Sequence, residues 1–429
     1  MSYTYDNLGR ILKASYSSGR NLHYTYTGDG QVYSITDDNG TSANTDDLVC
    51  YYTYDSLGRV VDSRMSRGIQ TLLQSHLTYD DSSRISTQAW QMGSQSYQES
   101  YTYNETDGTL KEISSSGGGN SLSLTYDKLE RLSSVKNGLY IKNYSYKDLN
   151  SSQTTTQVSG IQYSKLLGAL SGLKYEYTYD SLGNIATVTP SVGDAESYSY
   201  DAMGQLTGAT LGGTEYVYTY DGAGNITRAQ RGTTVNSYTY GNSSWTDLLT
   251  AYNGQAIAYE GQTVATDGSV SGTPISGNPI SYYNGSRWNL SWSEGRNLTS
   301  ARSTGDNGQY TYDAGGVRTG RTVTKGSTTE THSYIYASGK LLRDTVESGG
   351  STKILDFRYD QSGAPYSLTY TVGSTSTVYY YVTNLQGDVM YLADSSGSQV
   401  AAYLYDPYGK VLSSSGTMAE INPLRYRGY

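Results

Sequence analysis

The sequence holds one cysteine, one phenylalanine, three histidines and six prolines among its 429 residues. A lone Cys50 cannot close an intramolecular disulfide, so oxidising and reducing compartments both stay open. His23, His76 and His332 stand far apart in the chain. With one Cys they compose no metal-ligand cluster, and a structural role is expected for each. No apolar run reaches the length that crosses a bilayer, so no membrane span is expected. The opening MSYTYDNLGR carries no charged-then-apolar leader and already reads as repeat, which suggests a piece of something longer. Basic residues number 30 against 39 acidic ones, a net charge of -9. That balance lacks the footprint of a nucleic-acid binder. Phosphate-loop, nucleophile-elbow and HExxH patterns are missing as well. With no convergent reactive set, no cofactor and no catalytic residue is expected.

Tyrosine is what the chain has in abundance: 48 Tyr, beside 49 Gly. The hydrophobic share is 36%, below the roughly 45–50% of ordinary globular chains. A phenol packs at one end and needs water or a partner at the other, which suits thin β-layers better than a thick dry core. Gly supplies positive φ for turns, and Tyr and Thr favour strands.

The tyrosines recur in a unit, Tyr-x-Tyr-Asp, followed by three residues that end in Gly in the plainest copies. Clear copies are Tyr3, Tyr5, Asp6, Gly9; Tyr52, Tyr54, Asp55, Gly58; and Tyr177, Tyr179, Asp180, Gly183. Others are Tyr198, Tyr200, Asp201, Gly204; Tyr218, Tyr220, Asp221, Gly224; Tyr310, Tyr312, Asp313; and Tyr403, Tyr405, Asp406, Gly409. Looser copies start at Leu77, Tyr101, Leu124, Tyr144 and Phe357. Most neighbours lie about 20–25 residues apart, within the range of repeat architectures. Residues two apart in a strand share a face, so the paired tyrosines point together. The Asp accepts from backbone N–H groups two residues on, and the Gly ends the turn in the left-handed region. An apolar residue such as Val60, Ile185, Leu206 or Ile226 opens a return strand. Each unit is therefore a β-hairpin with a loop of about four or five residues. A single hairpin is marginal in water, so neighbours must stack, and the expectation is tyrosine beside tyrosine across strands. The predicted fold is all-β: tandem hairpins in one continuous, coiled antiparallel sheet, a spiral shell or part of one.

This repeat resembles the YD repeat of the RHS family, which includes rearrangement hotspot proteins, teneurins and the C component of insecticidal toxin complexes. The likeness covers nearly the whole chain. Two further stretches strengthen it: Gly277 to Ser300, with an Asn-Pro, a Trp and a Gly-Arg-x-Leu, and Asn384 to Tyr429. The latter resembles the start of the RHS-associated core and carries Asn422, Pro423, Arg425, Tyr426 and Gly428. The resemblance implies a secreted or cell-surface β-shell that encapsulates or presents a covalently linked C-terminal toxin. It departs from the family pattern at its end. The family's later Asp-x-x-Thr-Gly-Leu and Arg-Tyr-Tyr-Asp-Pro stretches, which serve self-cleavage in some members, lie beyond Tyr429. The expected organisation is a repeat array over 1–378, looser at about 241–300, and the opening of the core over 379–429.

Other chemistries are weaker. Aspartates repeated at one turn offset cap turns rather than form an acid pair for glycoside hydrolysis. Asp37-Asp38-Asn39-Gly40 and Asp306-Asn307-Gly308 lack the ligand spacing of a calcium loop. The tyrosine ladders, with Trp245, Trp288 and Trp292, leave a second possibility open: a wall-associated adhesin or carbohydrate-binding protein whose aromatic repeats meet cell-surface glycans. No helix is expected, Thr246 to Tyr252 being the only tempting stretch.

Overall fold

The computed structural model describes residues 1–116, 121–151, 153–313 and 315–428. It is built of antiparallel strands, with two short 3-10 turns and no α-helix among the described residues. Thr246 to Tyr252 is not helical: the Leu248 N–H closes a turn onto the Trp245 carbonyl, and the strand Ala251–Tyr252 follows. Between 241 and 300 the strands shorten to two or three residues in places, and Gln262–Val264 pairs with Val270–Gly272 as a small separate hairpin.

The chain divides into two compact units. One comprises 1–120, 289–356 and 371–375; the other comprises 121–288, 357–370 and 376–429. In the first, strands from Ser2–Tyr5 to Leu110–Ser115 pair each with the next in sequence order. Strands from Asn297–Ser303 to Lys340–Ser348 do the same. In the second, serial pairing runs from Leu122–Tyr126 to Gln255–Ala256. It runs again from Val389–Ala393 to Val411–Ser415.

Every clear copy folds alike. In the hairpin Lys174–Tyr179 and Ile185–Pro190, Tyr177 lies opposite Val188 and Tyr179 opposite Ile185, with a bulge between Thr178 and Tyr179. The same one-residue shift precedes Tyr5, Tyr54, Tyr200, Tyr220, Tyr312 and Tyr405. A bulge twists a strand and re-aims the next side chain. The second tyrosine thereby faces the residue that opens the return strand, Ile11, Val60, Leu206, Ile226 or Val411 in most copies and Arg318 opposite Tyr312. Tyrosine therefore mostly packs across strands on aliphatic side chains and not on tyrosine. Direct cross-strand phenol pairs are few, Tyr238 opposite Tyr252 being one. The reason is strand alternation: a return strand, such as Ile11–Ser15 or Val60–Arg67, lies between one tyrosine-bearing strand and the next.

The interiors of the two units differ. In the first, Leu73, Trp90, Met92, Tyr97 and Leu342 form a small buried cluster. Beside it Arg343 grips Asp356 through Nε (2.6 Å) and Nη2 (2.9 Å), and the Tyr97 hydroxyl donates to the same carboxylate (2.7 Å). In the second, Leu170, Leu173, Ile161, Tyr163 and Tyr177 are buried with Tyr380 and Val382. There the Tyr163 hydroxyl donates to the Thr383 carbonyl (2.6 Å) and accepts from the Thr383 N–H (3.0 Å). Burial pushes the Tyr163 and Tyr177 phenols far above their ordinary range.

Candidate functional site

The recurring site is the turn together with the tyrosine of the following hairpin. In the turn after Tyr5, the Asp6 Oδ1 accepts from the N–H groups of Leu8 (2.8 Å) and Arg10 (2.9 Å). Gly9 stands at φ 77° and its N–H closes on the Asp6 carbonyl. The same carboxylate bonds recur at Asp55, Asp180, Asp201, Asp221, Asp313 and Asp406. These bonds hold several turn carboxyls below the usual range. The Arg10 and Arg59 N–H groups contribute most at Asp6 and Asp55, and the Asn184 and Asn225 side chains at Asp180 and Asp221.

The second tyrosine then latches each hairpin to the one before it. The hydroxyls of Tyr26, Tyr54, Tyr79 and Tyr103 donate to the carbonyls of Ile11, Val32, Val60 and Ile85 at 2.6–2.8 Å. In the second unit Tyr146, Tyr179, Tyr200, Tyr220, Tyr240 and Tyr405 donate to Leu132, Val158, Ile185, Leu206, Ile226 and Val389 at 2.6–3.2 Å. Tyr312 does so to Leu298 (3.0 Å). The accepting residue sits at or near the start of the previous return strand, except Val158, which lies in the middle of Gln153–Ser164. Four turns add a cation over the latch ring: Arg10 on Tyr26, Arg59 on Tyr79, Arg84 on Tyr103 and Arg131 on Tyr146, at 4.0–4.4 Å. Each of these guanidiniums also bonds the carboxylate of its own turn.

Sequence reasoning placed the hairpins and missed the latch. The available signal was the Asp-x-x-x-Arg spacing, which repeats at positions 6–10, 55–59, 80–84 and 127–131. It also missed turns of the same shape built on Thr27, Asn384 and Asp394. The turn tips are a further surprise. Leu8, Leu57, Leu129, Leu182 and Met203 sit there exposed, whereas Tyr408 in the equivalent place packs edge-on against Tyr218, ring centroids 4.9 Å apart. Its hydroxyl meets that of Tyr220 (2.6 Å).

The C-terminal motif closes its own sheet. Asn422 is fully buried; its Oδ1 accepts from the Tyr381 hydroxyl (2.8 Å) and its Nδ2 donates to the Leu424 carbonyl (2.5 Å). Pro423 lies half-buried between them. The Arg425 guanidinium donates to the Ala419 carbonyl (2.9 Å), and the Arg425 carbonyl accepts from the Val389 N–H (2.9 Å). The Tyr426 ring lies on Gly409, leaving no room there for a Cβ. Gly428, at φ 76°, has Pro365 3.1 Å from where its Cβ would be. A cleft of about 580 Å³ opens beside this motif, lined by Glu196, Tyr198, Tyr200, Asp388 and Arg427 among others. Burial, then the Asp388 charge, holds the Glu196 carboxyl above its ordinary range.

The first unit has a cleft of about 670 Å³ across neighbouring strands, lined by Tyr33, Tyr51, Arg64, Gln74, His76 and Gln98 among others. Tyr33 meets Tyr51 edge-on at 5.8 Å, and Arg64 lies 4.7 Å over Tyr51. His76 bonds Asp62 (2.6 Å), and buried His332 bonds Asp344 (2.9 Å). Asp37 is taken up by an ion pair with Arg20, and Asp306 to Gly308 lie within a strand. No group of three or more His, Cys, Asp or Glu among the described residues could hold a metal ion. Among them, too, no helix is long and apolar enough to cross a membrane. Trp245 lies alongside Gly277, and Trp292 faces Leu298.

Comparison with known proteins agrees with this geometry. The family model described as Teneurin YD-shell matches residues 41–205 and 139–429. The tRNA3(Ser)-specific nuclease WapA of Bacillus spizizenii is 32% identical over 168 residues, and the tRNA nuclease WapA of Bacillus subtilis 30% over 169. Each match covers 37% of this chain and 7% of the relative, so the shared stretch is a small part of those proteins. The crystal structure of TcdB2-TccC3 shares the fold over 99% of this chain and 25% of its own, at TM-score 0.64 and 17% identity. The Photorhabdus luminescens Tc holotoxin pore does so over 98% and 21%, at TM-score 0.57 and 16% identity. With its turns, bulges and latches repeated throughout and the family model matching from residue 41 to 429, the chain belongs to the teneurin-type YD-shell family of RHS/YD-repeat proteins.

Proposed function

We propose that this chain is a structural wall of an RHS-type toxin protein, enclosing or presenting a toxin domain linked on its C-terminal side. The supporting observation is the latch: a bond repeated from hairpin to hairpin builds a continuous surface, whereas a catalytic centre needs a unique convergence of groups. The relatives named tRNA nucleases share only a small fraction of their length with this chain. An enzyme of that kind is the class of cargo proposed, and the protein is secreted or displayed at a cell surface. Its own residues carry no reaction. Limited proteolysis of the full-length gene product tests this. The linked domain should survive intact until denaturant opens the wall, and electron cryo-microscopy should find its density inside. Digestion of that domain at the rate of its free form, or hydrolase activity in residues 1–429 alone, contradicts the proposal.

A second reading draws on the first unit's cleft. Exposed aromatic rings beside amide and guanidinium groups suit the hydroxyls and flat faces of a neutral glycan. Titration with chitin- and cellulose-derived oligosaccharides, read by tyrosine fluorescence, should then show saturable binding that Tyr51→Ala removes. No binding by either series ends this reading.

A further inference from the structure

Four junctions between hairpins carry an arginine over the latch ring, and others put a neutral amide in its place. Arg10, Arg59, Arg84 and Arg131 bond the carboxylate of their own turn. Each lies 4.0–4.4 Å over the tyrosine of the next hairpin. After Asp180 that position is Asn184, whose Nδ2 bonds the Asp180 Oδ2 (2.9 Å). The latch is kept, since the Tyr200 hydroxyl donates to the Ile185 carbonyl (3.0 Å). Asn184 is too short to reach across the ring as an arginine does. Burial, then the Asp180 charge, holds the Tyr200 phenol above its ordinary range.

Asn184 and Tyr200 both line the cleft of about 580 Å³ in the second unit. Three carboxylates, Glu196, Asp388 and Asp406, line it with one cation, Arg427. Asp406 is taken up by its own turn, accepting from the Tyr408 and Lys410 N–H groups. Asp388 accepts from the Asn384 side chain (2.7 Å) and the Arg427 N–H (3.0 Å). The Arg427 guanidinium lies over the Tyr426 ring (5.3 Å), with its Nε 3.6 Å from Asp388. Glu196 is different. Its carboxylate accepts from the Tyr198 hydroxyl (2.6 Å), and among the described residues no Lys, Arg or His pairs with it. Gln386, also in the lining, keeps its Oε1 buried without a hydrogen-bond donor. The cleft therefore holds acceptors and an aromatic face, with too few donors to satisfy them.

We infer that this cleft binds a flexible organic polycation, with one charged nitrogen over the Tyr200 ring beside Asp180 and another at Glu196. The first contact repeats what the wall does with Arg10 and Arg59, a cation held between a turn carboxylate and a latch ring. The second gives Glu196 a charge-assisted donor. Both residues belong to the strand Glu196–Tyr200 and share a face. Four residues of strand separate their Cα atoms by about 13 Å. An aliphatic polyamine spans such a gap, and so do the basic side chains of an extended peptide.

Calorimetric titration of the chain tests this with spermidine and with acetyl-Arg-Gly-Arg-amide. Triacetylspermidine and the matching citrulline peptide are the neutral controls. At least one cationic probe should bind saturably, and its neutral control at least tenfold more weakly. Binding of spermidine alone assigns a free polyamine, and binding of the peptide alone assigns side chains. Asn184→Arg gives Tyr200 the repeat's own guanidinium. It should weaken binding at least tenfold without lowering the melting temperature. Asn225→Arg makes the same exchange in the turn before Tyr240, outside the cleft lining, and should leave affinity unchanged. Glu196→Gln should weaken binding several-fold. No binding by either cationic probe, equal binding by a neutral control, or parental affinity in folded Asn184→Arg protein each overturns the inference.

Discussion

The two units build their hairpins to one plan yet differ in the balance of charged and apolar groups that cross their interiors. The first spans its interior with charge. Arg343, Asp356 and Tyr97 form a buried network, buried Arg20 is paired with Asp37 and Glu294, and His332 bonds Asp344. The second spans its interior with aliphatic side chains and with phenols that bond backbone: Tyr140 to the Tyr381 carbonyl, Tyr163 to Thr383, and Tyr177 to the Leu385 N–H. The turns follow suit. Arg10, Arg59 and Arg84 brace the first unit, while after Arg131 the second uses Asn184, Gln205 and Asn225. The lesson is that the latch and turn define the wall, while what lies behind the wall can change freely.

That contrast can be broken from either side. The largest effect is expected from Asp356→Ala in the first unit, which strands the Arg343 charge in the interior. Chemical denaturation should register a loss of about 3–5 kcal/mol, and Arg343→Met added to Asp356→Leu should recover most of it. Equal stability of the single and double variants would show that the charge is not stranded. In the second unit the matching change is Leu173→Ala, a fully buried side chain. A loss of about 2–5 kcal/mol, independent of salt, is expected there. A marked salt dependence would erase the distinction between the two interiors.

Acid and base should act through different residues. The carboxyls of Asp6, Asp55, Asp80 and Asp127 are held low by turn N–H groups and arginines. A depressed folded value gives stability that is complete above the unfolded pKa of about 3.9 and lost as pH falls through the folded value. Tyr52 and Tyr334 are pushed up to about 12, burial being the main cause. For them stability is complete below about pH 10 and lost as pH rises towards the folded value. A pH series of thermal melts should therefore show a plateau with separate acid and alkaline falls. Tyrosinate absorbance should rise with the alkaline fall; ionisation of all tyrosines near pH 10 in the folded protein would contradict this assignment. The smallest of these effects concerns one turn. Glu130 takes the left-handed conformation, φ 59°, that Gly9 and Gly58 take in their copies. Glu130→Gly should stabilise the protein by up to about 1 kcal/mol, and a loss would mean that the Glu130 side chain matters to the turn.

Much of the wall was legible in the sequence because its rules are local. Tyr-x-Tyr-Asp, two residues and Gly fix strand, bulge and turn within about a dozen positions, and the return strand follows from Val60 or Ile185. The latch is a bond between neighbouring hairpins, and its acceptor is a backbone carbonyl, which no residue identity advertises. Cross-strand phenol stacking was expected from pairing alone, and the return strand between successive tyrosine-bearing strands keeps the rings apart. Contacts of long range, such as Asn422 with Tyr381 or Tyr163 with Thr383, follow no spacing at all.

The central claim is that the second tyrosine of each hairpin holds it to the hairpin before. Two substitutions at equivalent positions test it, since Tyr79 donates to the Val60 carbonyl (2.8 Å) and Tyr5 has no acceptor among the described residues. Urea denaturation of dilute protein should show Tyr79→Phe less stable than the parent by about 1 kcal/mol, and Tyr5→Phe unchanged. Equal effects from the two, or none from Tyr79→Phe, would contradict it.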